Sequence, residues 1–228
     1  MRMPMRLIDT TIRLMLTIIL MVGAAVTSIA GTIDVIVVGP DGAPVPDVAV
    51  YIMQTGVNEP PMLRPETAYM DQRDGQFVPH LMVVRKGTAV EFPNSDVTAH
   101  HVYSFSRPNN FVLPLYKGAP HDPVKFEHDG VITLGCNIHD HMLAYIVVVD
   151  TSVFGVTDAS GRVVLAVDDG ATDYAVKIWN PRIRDSKVEL IQIVSNTQPT
   201  DVEITFPLQK KLRARHNAHS NAVAWSEY

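Results

Sequence analysis

The chain has 228 residues, 46% of them apolar, and a formal charge of −5. That length and apolar share suit one or two small globular domains, each with its own core. There is no global basic bias, which excludes nucleic acid as an expected partner.

Residues 1–30 stand apart from the rest. Arg2, Arg6 and Arg13 flank a short polar stretch, and residues 14–26 form an apolar run. Ser28-Ile29-Ala30 then places small residues at a cleavage position. This pattern reads as a secretory signal peptide removed after Ala30. The competing reading is an uncleaved membrane anchor. A spanning helix needs about 20 apolar residues, and this run is short of that. No later stretch is long and apolar enough to span. The expectation is an exported or periplasmic protein with no membrane association after cleavage.

The mature chain reads as all-β, because short β-branched runs alternate with turn formers. Strands are expected at 32–38 and 48–52, separated by Gly39-Pro-Asp-Gly-Ala-Pro44. Residues 54–66 are rich in Pro, Asn and Glu and read as a loop. A strand at 76–84 is interrupted by Pro79, which implies an edge or a bulge. Further strands are expected at 88–92, 100–105, 124–126, 131–134 and 142–149. Turns or loops cover 93–96, 108–110 and 116–120. A third block, 150–208, carries a turn at 157–161 and strands at 162–167, 174–179 and 201–206, with hairpin-type turns between them. From Gln209 the chain carries Lys210, Lys211, Arg213 and Arg215 and reads as a solvated, disordered tail. A basic docking arm is the rival reading of that tail.

One cysteine is present, Cys136. An exported chain with one cysteine closes no internal disulfide. Cys136 is therefore a reactive thiol, an intermolecular bridge, a metal ligand or an inert core residue. A free thiol is a liability in an oxidising compartment, and metal ligation protects it.

Gly135-Cys-Asn-Ile-His-Asp-His-Met142 is the most informative segment. It places Cys136, His139 and Met142 at Cys-x2-His-x2-Met in a loop between two strands. Thiolate, imidazole and thioether are soft or borderline donors, which select copper over magnesium or calcium. Two histidines, a cysteine and a weak methionine form the blue-copper donor set, so one more histidine is needed. His100 and His101 open a strand. Alternation puts His100, Val102 and Ser104 on one face and His101, Tyr103 and Phe105 on the other, so only one of the two histidines faces an ion.

On these motifs, residues 77–150 resemble the cupredoxins, most closely amicyanin and plastocyanin. Val90-Glu-Phe-Pro-Asn94 with Ala99-His-His-Val102 looks like their first-ligand region, and that register implies His100. The Cys-x2-His-x2-Met loop is similar to the short ligand loop of amicyanin. With Asp71-Gln72, the stretch Leu134-Gly-Cys-Asn-Ile-His139 also looks like the "methylamine utilization protein" group. The resemblance implies a Greek-key β-sandwich over 69–150 that holds one type 1 copper through His100, Cys136, His139 and Met142. It further implies single-electron transfer to transient redox protein partners. The loop histidine, His139, would then lie near the surface, with Ile138, His141 and Leu143 forming part of an apolar docking patch. One departure stands out. Cupredoxins usually have Asn directly after the first histidine, where this chain has His101. Either His101 takes over a hydrogen bond around the site, or it faces the surface and Asn94 or Asn137 pins the cysteine loop.

The other histidines are weaker signals. His80 reads as structural, and His121, His128, His216 and His219 fall in loops or the tail. There is no phosphate-binding glycine loop, no His-Glu-x-x-His and no Gly-x-Ser-x-Gly. A copper oxidase or nitrite-reductase-like subunit would need a second copper site, so the chain is not expected to be an enzyme. The alternatives to a carrier are a copper trafficking or storage module without redox duty and a partner-binding sandwich with an empty, vestigial site.

The flanks have their own resemblance. Residues 35–50 look like the opening of a carboxypeptidase-regulatory-like β-sandwich, and 157–165 with 174–178 look like the rest of it. This implies a small second sandwich built from 31–55 and 151–208, with the copper domain inserted between them. Strands 35–38 and 48–52 should then contact 163–167 and 174–179.

Overall fold

The computed structural model describes residues 31–56, 58–60, 62, 66–118, 121–168, 171, 173–182, 190–195 and 202–207. The expected signal segment and the basic tail, with His216 and His219, lie outside the described residues. Every described element is a β-strand, so the chain is all-β.

Among the described residues, four sheets stack in layers. In the first, β1 (Gly31–Val38) runs antiparallel to β14 (Arg162–Val167) and parallel to β17 (Val202–Pro207). The second has the order β13 (Phe154–Val156), β2 (Ala49–Thr55), β15 (Asp173–Trp179), β16 (Leu190–Ser195). The third has the order β6 (Leu81–Arg85), β12 (Leu143–Val149), β11 (Gly130–Gly135), β8 (His100–Ser104), β9 (Phe111–Tyr116). The fourth joins β10 (Val124–Lys125), β7 (Ala89–Glu91) and β3 (Thr67–Tyr69). A small hairpin, β4 (Asp71–Arg73) with β5 (Gln76–Val78), completes the set.

Side-chain alternation explains the layering. Ile33, Val35 and Val37 of β1 meet Val50, Ile52, Val176 and Ile178 in one core. Val102, Ile132, Leu134 and Ile146 meet Met70, Val90, Phe92 and Phe126 in a second. A third core lies between the two sandwiches, where Ala49, Tyr51 and Trp179 pack on Leu81, Val147 and Val149. Strands β2 and β12 therefore bury both faces along most of their length, which accounts for their nearly unbroken apolar runs. The Tyr145 and Trp179 rings sit 5.3 Å apart across this middle layer. Glu59 reinforces the junction. It accepts a hydrogen bond from the Ser152 N–H, and the single hydroxyl hydrogen of Thr151 is shared between the Glu59 carboxylate and the Ile52 carbonyl.

Several segments differ from the sequence reading. The single strand expected at 76–84 is two strands in different sheets. The Val78–Pro79 bond is cis, β5 pairs with β4, and β6 forms an edge beside β12. Strand β2 continues through Gln54 and Thr55, which pair with Tyr174 and Asp173, so the following loop starts later than expected. Strand β9 was hidden by Pro114, and its edge position tolerates a residue without an N–H. Strands β3, β4, β13 and β16 are short or lack clear alternation. No hairpin joins β14 to β15, because β14 pairs with β1 and β15 with β2 and β16.

Trp179 fills the middle layer at 2% exposure. Trp179→Ala should cost about 3–5 kcal/mol in a denaturant titration. Val164→Ala, at a half-exposed position, should change stability by less than about 0.5 kcal/mol.

Candidate metal centre

The site forms where two loops meet at one end of the third sheet. Strand β11 ends at Gly135, which pairs with Tyr103 of β8. Glycine allows this close approach, because a Cβ at 135 would lie 2.8 Å from Tyr103 Cζ and would make that ring shift. This close approach delivers Cys136 beside the first residue of β8, His100. The loop then folds back on itself, with the Met142 N–H donating to the His139 carbonyl at 2.9 Å. Strand β12 leaves from there.

His100, Cys136 and His139 bring their donor atoms within 4.8 Å of one another. Nδ1 of His100 lies 3.1 Å from Nδ1 of His139. The Cys136 Sγ lies 4.0 Å from each of them. His100 and Cys136 are buried, and His139 is partly exposed. Met142 is 1% exposed and packs in the same core as Cys136.

The far side of His100 is fixed by Asp96, whose Oδ2 lies 2.8 Å from Nε2. A carboxylate only accepts, so Nε2 carries the hydrogen. In the neutral ring Nδ1 is then a bare lone pair turned into the site. The tip of the β4–β5 hairpin holds Asp96 in turn. The N–H groups of Asp74 and Gly75 donate to its two oxygens at 2.8 and 2.9 Å. Both tip residues have positive φ, 53° and 66°. Burial acts to raise the Asp96 pKa, but hydrogen bonds from Gly75, His100 and Asp74 outweigh it and hold the carboxyl below its ordinary value. Asp96 was not singled out from the sequence. Its signal was a carboxylate four residues before the histidine, inside the turn that opens β8.

Strand alternation holds at the paired histidines. His100 is buried toward the site, while His101 is on the opposite face with its ring 5.7 Å from Tyr103. His101 Nδ1 is buried with no hydrogen-bond partner among the described residues, so this atom pins no loop. Asn94 donates to the carbonyls of Thr98 and Tyr116 and accepts from the Asp96 N–H. It therefore shapes the loop before His100 rather than the cysteine loop. Asn137 is exposed. Beneath this loop, Gln72 Nε2 and the Phe92 carbonyl hold the Tyr116 hydroxyl, and burial pushes the Tyr116 pKa up to about 12.

Of the remaining described histidines, only His141 borders the three donor atoms. The His80 ring packs edge-on to Tyr145 at 5.6 Å. The His121 ring packs against Tyr116 at 4.8 Å, and the His128 carbonyl accepts from Asn109. His141 is exposed at the rim, its ring 5.8 Å from that of His139.

No family model and no curated protein matches the chain. Among solved structures, part of it is similar to a copper-containing nitrite reductase from Thermus scotoductus, at 25% identity, with 42% of this chain and 25% of that chain covered and a TM-score of 0.36. The chain thus spans about a quarter of that enzyme's length. It is also similar to amicyanin from Paracoccus versutus, at 17% identity, covering 43% of this chain and 98% of that one, with a TM-score of 0.34. A purple cupredoxin from Nitrosopumilus maritimus is similar at 21% identity, covering 36% of this chain and 99% of that one, with a TM-score of 0.29.

Burial lowers the pKa of His139, assisted by the charges that His100 and His141 would carry. Burial also lowers that of His80, against an opposing hydrogen bond to the Leu143 backbone. Both rings therefore take up protons more readily in the unfolded chain. Below the ordinary histidine value of about 6.5 the unfolded state binds more protons, and the metal-free protein loses stability as pH falls. Urea midpoints at neutral and mildly acidic pH should show this decline, and a rise on acidification would contradict it.

Proposed function

We propose that the chain is an exported type 1 copper protein of cupredoxin kind that carries single electrons between redox partners. The observation that supports this most is the convergence of His100 Nδ1, Cys136 Sγ and His139 Nδ1 in one largely buried cluster. A thiolate with two imidazoles suits copper, and Met142, buried in the same core as Cys136, would supply a weak fourth donor. Copper held there would cycle between Cu(II) and Cu(I), supplying one electron at a time.

The chain's own residues carry the remaining roles. Asp96 keeps His100 in the tautomer that presents Nδ1. Cys136 supplies the strongest donor as its thiolate. The core around Met142, Phe92 and Leu134 excludes water and anchors β8 and the two strands that flank the Cys136–Met142 loop. Little rearrangement is then needed when the charge of the site changes. His139 reaches the surface beside exposed Ile138 and Leu143, a face suited to the small, transient contacts of electron-transfer partners.

We further propose that residues 31–55 and 151–208 form one sandwich domain carrying 69–150 as an insertion. The pairing of β1 with β14 and of β2 with β15, around a core of their own, supports this division. Export rests on the signal-like pattern of residues 1–30 and on the single cysteine, which ligation would protect from oxidation.

The visible spectrum of the mature protein with Cu(II) tests the site. An intense thiolate-to-copper band should appear and vanish in Cys136→Ser and His100→Ala, while His101→Ala should keep it. A band that survives Cys136→Ser would sink the reading, and a weak or absent band with tight copper binding would favour storage or trafficking. Asp96→Asn should keep the band but weaken copper affinity by about 10–100-fold in a competition titration.

A further inference from the structure

We infer that His141 is a capture ligand for copper at the mouth of the site, distinct from the residues that hold the ion once bound. This inference rests on the copper reading above. His100, Cys136 and Met142 are each at most 3% exposed, so none of them meets a hydrated ion in bulk water. His139 is the partly exposed member of the cluster. His141 stands beside it, exposed, with the two rings 5.8 Å apart and tilted by 56°. The hydrogen bond from the Met142 N–H to the His139 carbonyl turns the loop back and sets positions 139 and 141 on one rim.

The hairpin tip frames this rim from the other side. A Cβ at Gly75 would come 3.3 Å from His141 Nε2, so the imidazole stands directly against the tip backbone. The same residue donates its N–H to Asp96, which orients His100. One turn thus borders both the exposed imidazole and the buried ligand's support.

The chemistry follows from exposure. A neutral imidazole is the commonest protein ligand for such metals, and an exposed one exchanges with coordinated water without any movement of the core. An ion held on His141 is kept near His139, which raises its effective concentration at the mouth far above that in solution. His139, Cys136 and His100 then replace the remaining waters, which leave to solvent. The Cys136 thiol proton also goes to solvent as its thiolate binds. The oxidation state of the metal does not change in these exchanges. If His141 only lined a docking face, its loss would not alter the rate of loading.

Stopped-flow mixing of the copper-free mature protein with Cu(II), followed at the thiolate-to-copper band, tests this. His141→Ala should load at least about tenfold more slowly at limiting copper and reach the same final band, which also shows that the variant is folded. His128→Ala, exposed in a different loop, should load at the unmodified rate. Equal rates for His141→Ala and the unmodified chain would overturn the inference and leave the copper site intact. A lost or displaced final band would make His141 a holding ligand and overturn it as well. If the unmodified chain develops no band, the copper reading fails and the inference falls with it.

Discussion

Strand β12 is buried on both faces, and the placement of the site and of the second sandwich both depend on that. Ala144, Ile146 and Val148 point into the core beneath the ligand cluster, while Val147 and Val149 point into the layer shared with Tyr51 and Trp179. A strand clamped from both sides cannot slip by one residue, because a slip would exchange the two faces. The Cys136–Met142 loop ends where this strand begins. Met142 and His139 are thus tied to a fixed point, and the loop's internal hydrogen bond does the rest.

The other half of the site is held more lightly. His100 opens β8 after an irregular turn, and its orientation depends on Asp96 and on two backbone N–H groups of the β4–β5 tip. Buried polar groups need partners, and both His100 Nε2 and the Asp96 carboxylate have them. Below the turn, Gln72, Tyr116 and Asn94 form a hydrogen-bonded floor. The site therefore joins a rigid side, set by apolar packing, to a polar side set by hydrogen bonds. His141 and the edge of His139 lie at the rim of this arrangement.

Among the described residues, the strands β1, β2 and β13 to β17 contribute no donor to the cluster. Their contact with β6 and β12 buries aromatic and aliphatic side chains, and Glu59 ties the adjoining segments together. An interface of that kind restrains relative motion, because separating the layers would expose Trp179, Tyr51 and Val147 together.

The sequence by itself determined the strand-rich class, drew attention to the Cys136–Met142 loop, and separated His100 from His101 by strand face. Periodicity and donor type are local properties, and a period of two decides which neighbour faces inward. Tertiary structure alone decided the rest. Asp96 became a partner of His100 only through a turn held by a distant hairpin tip. Gly135 makes room for Tyr103, 32 residues earlier in the chain, to pack against it. Strands at 76–78 and 81–85 separated into different sheets, and Pro114 sat in a strand because that strand is an edge. Such features arise from pairing between segments far apart in sequence, and no local pattern encodes which sheet a short strand will join or which side chain will stand across from it.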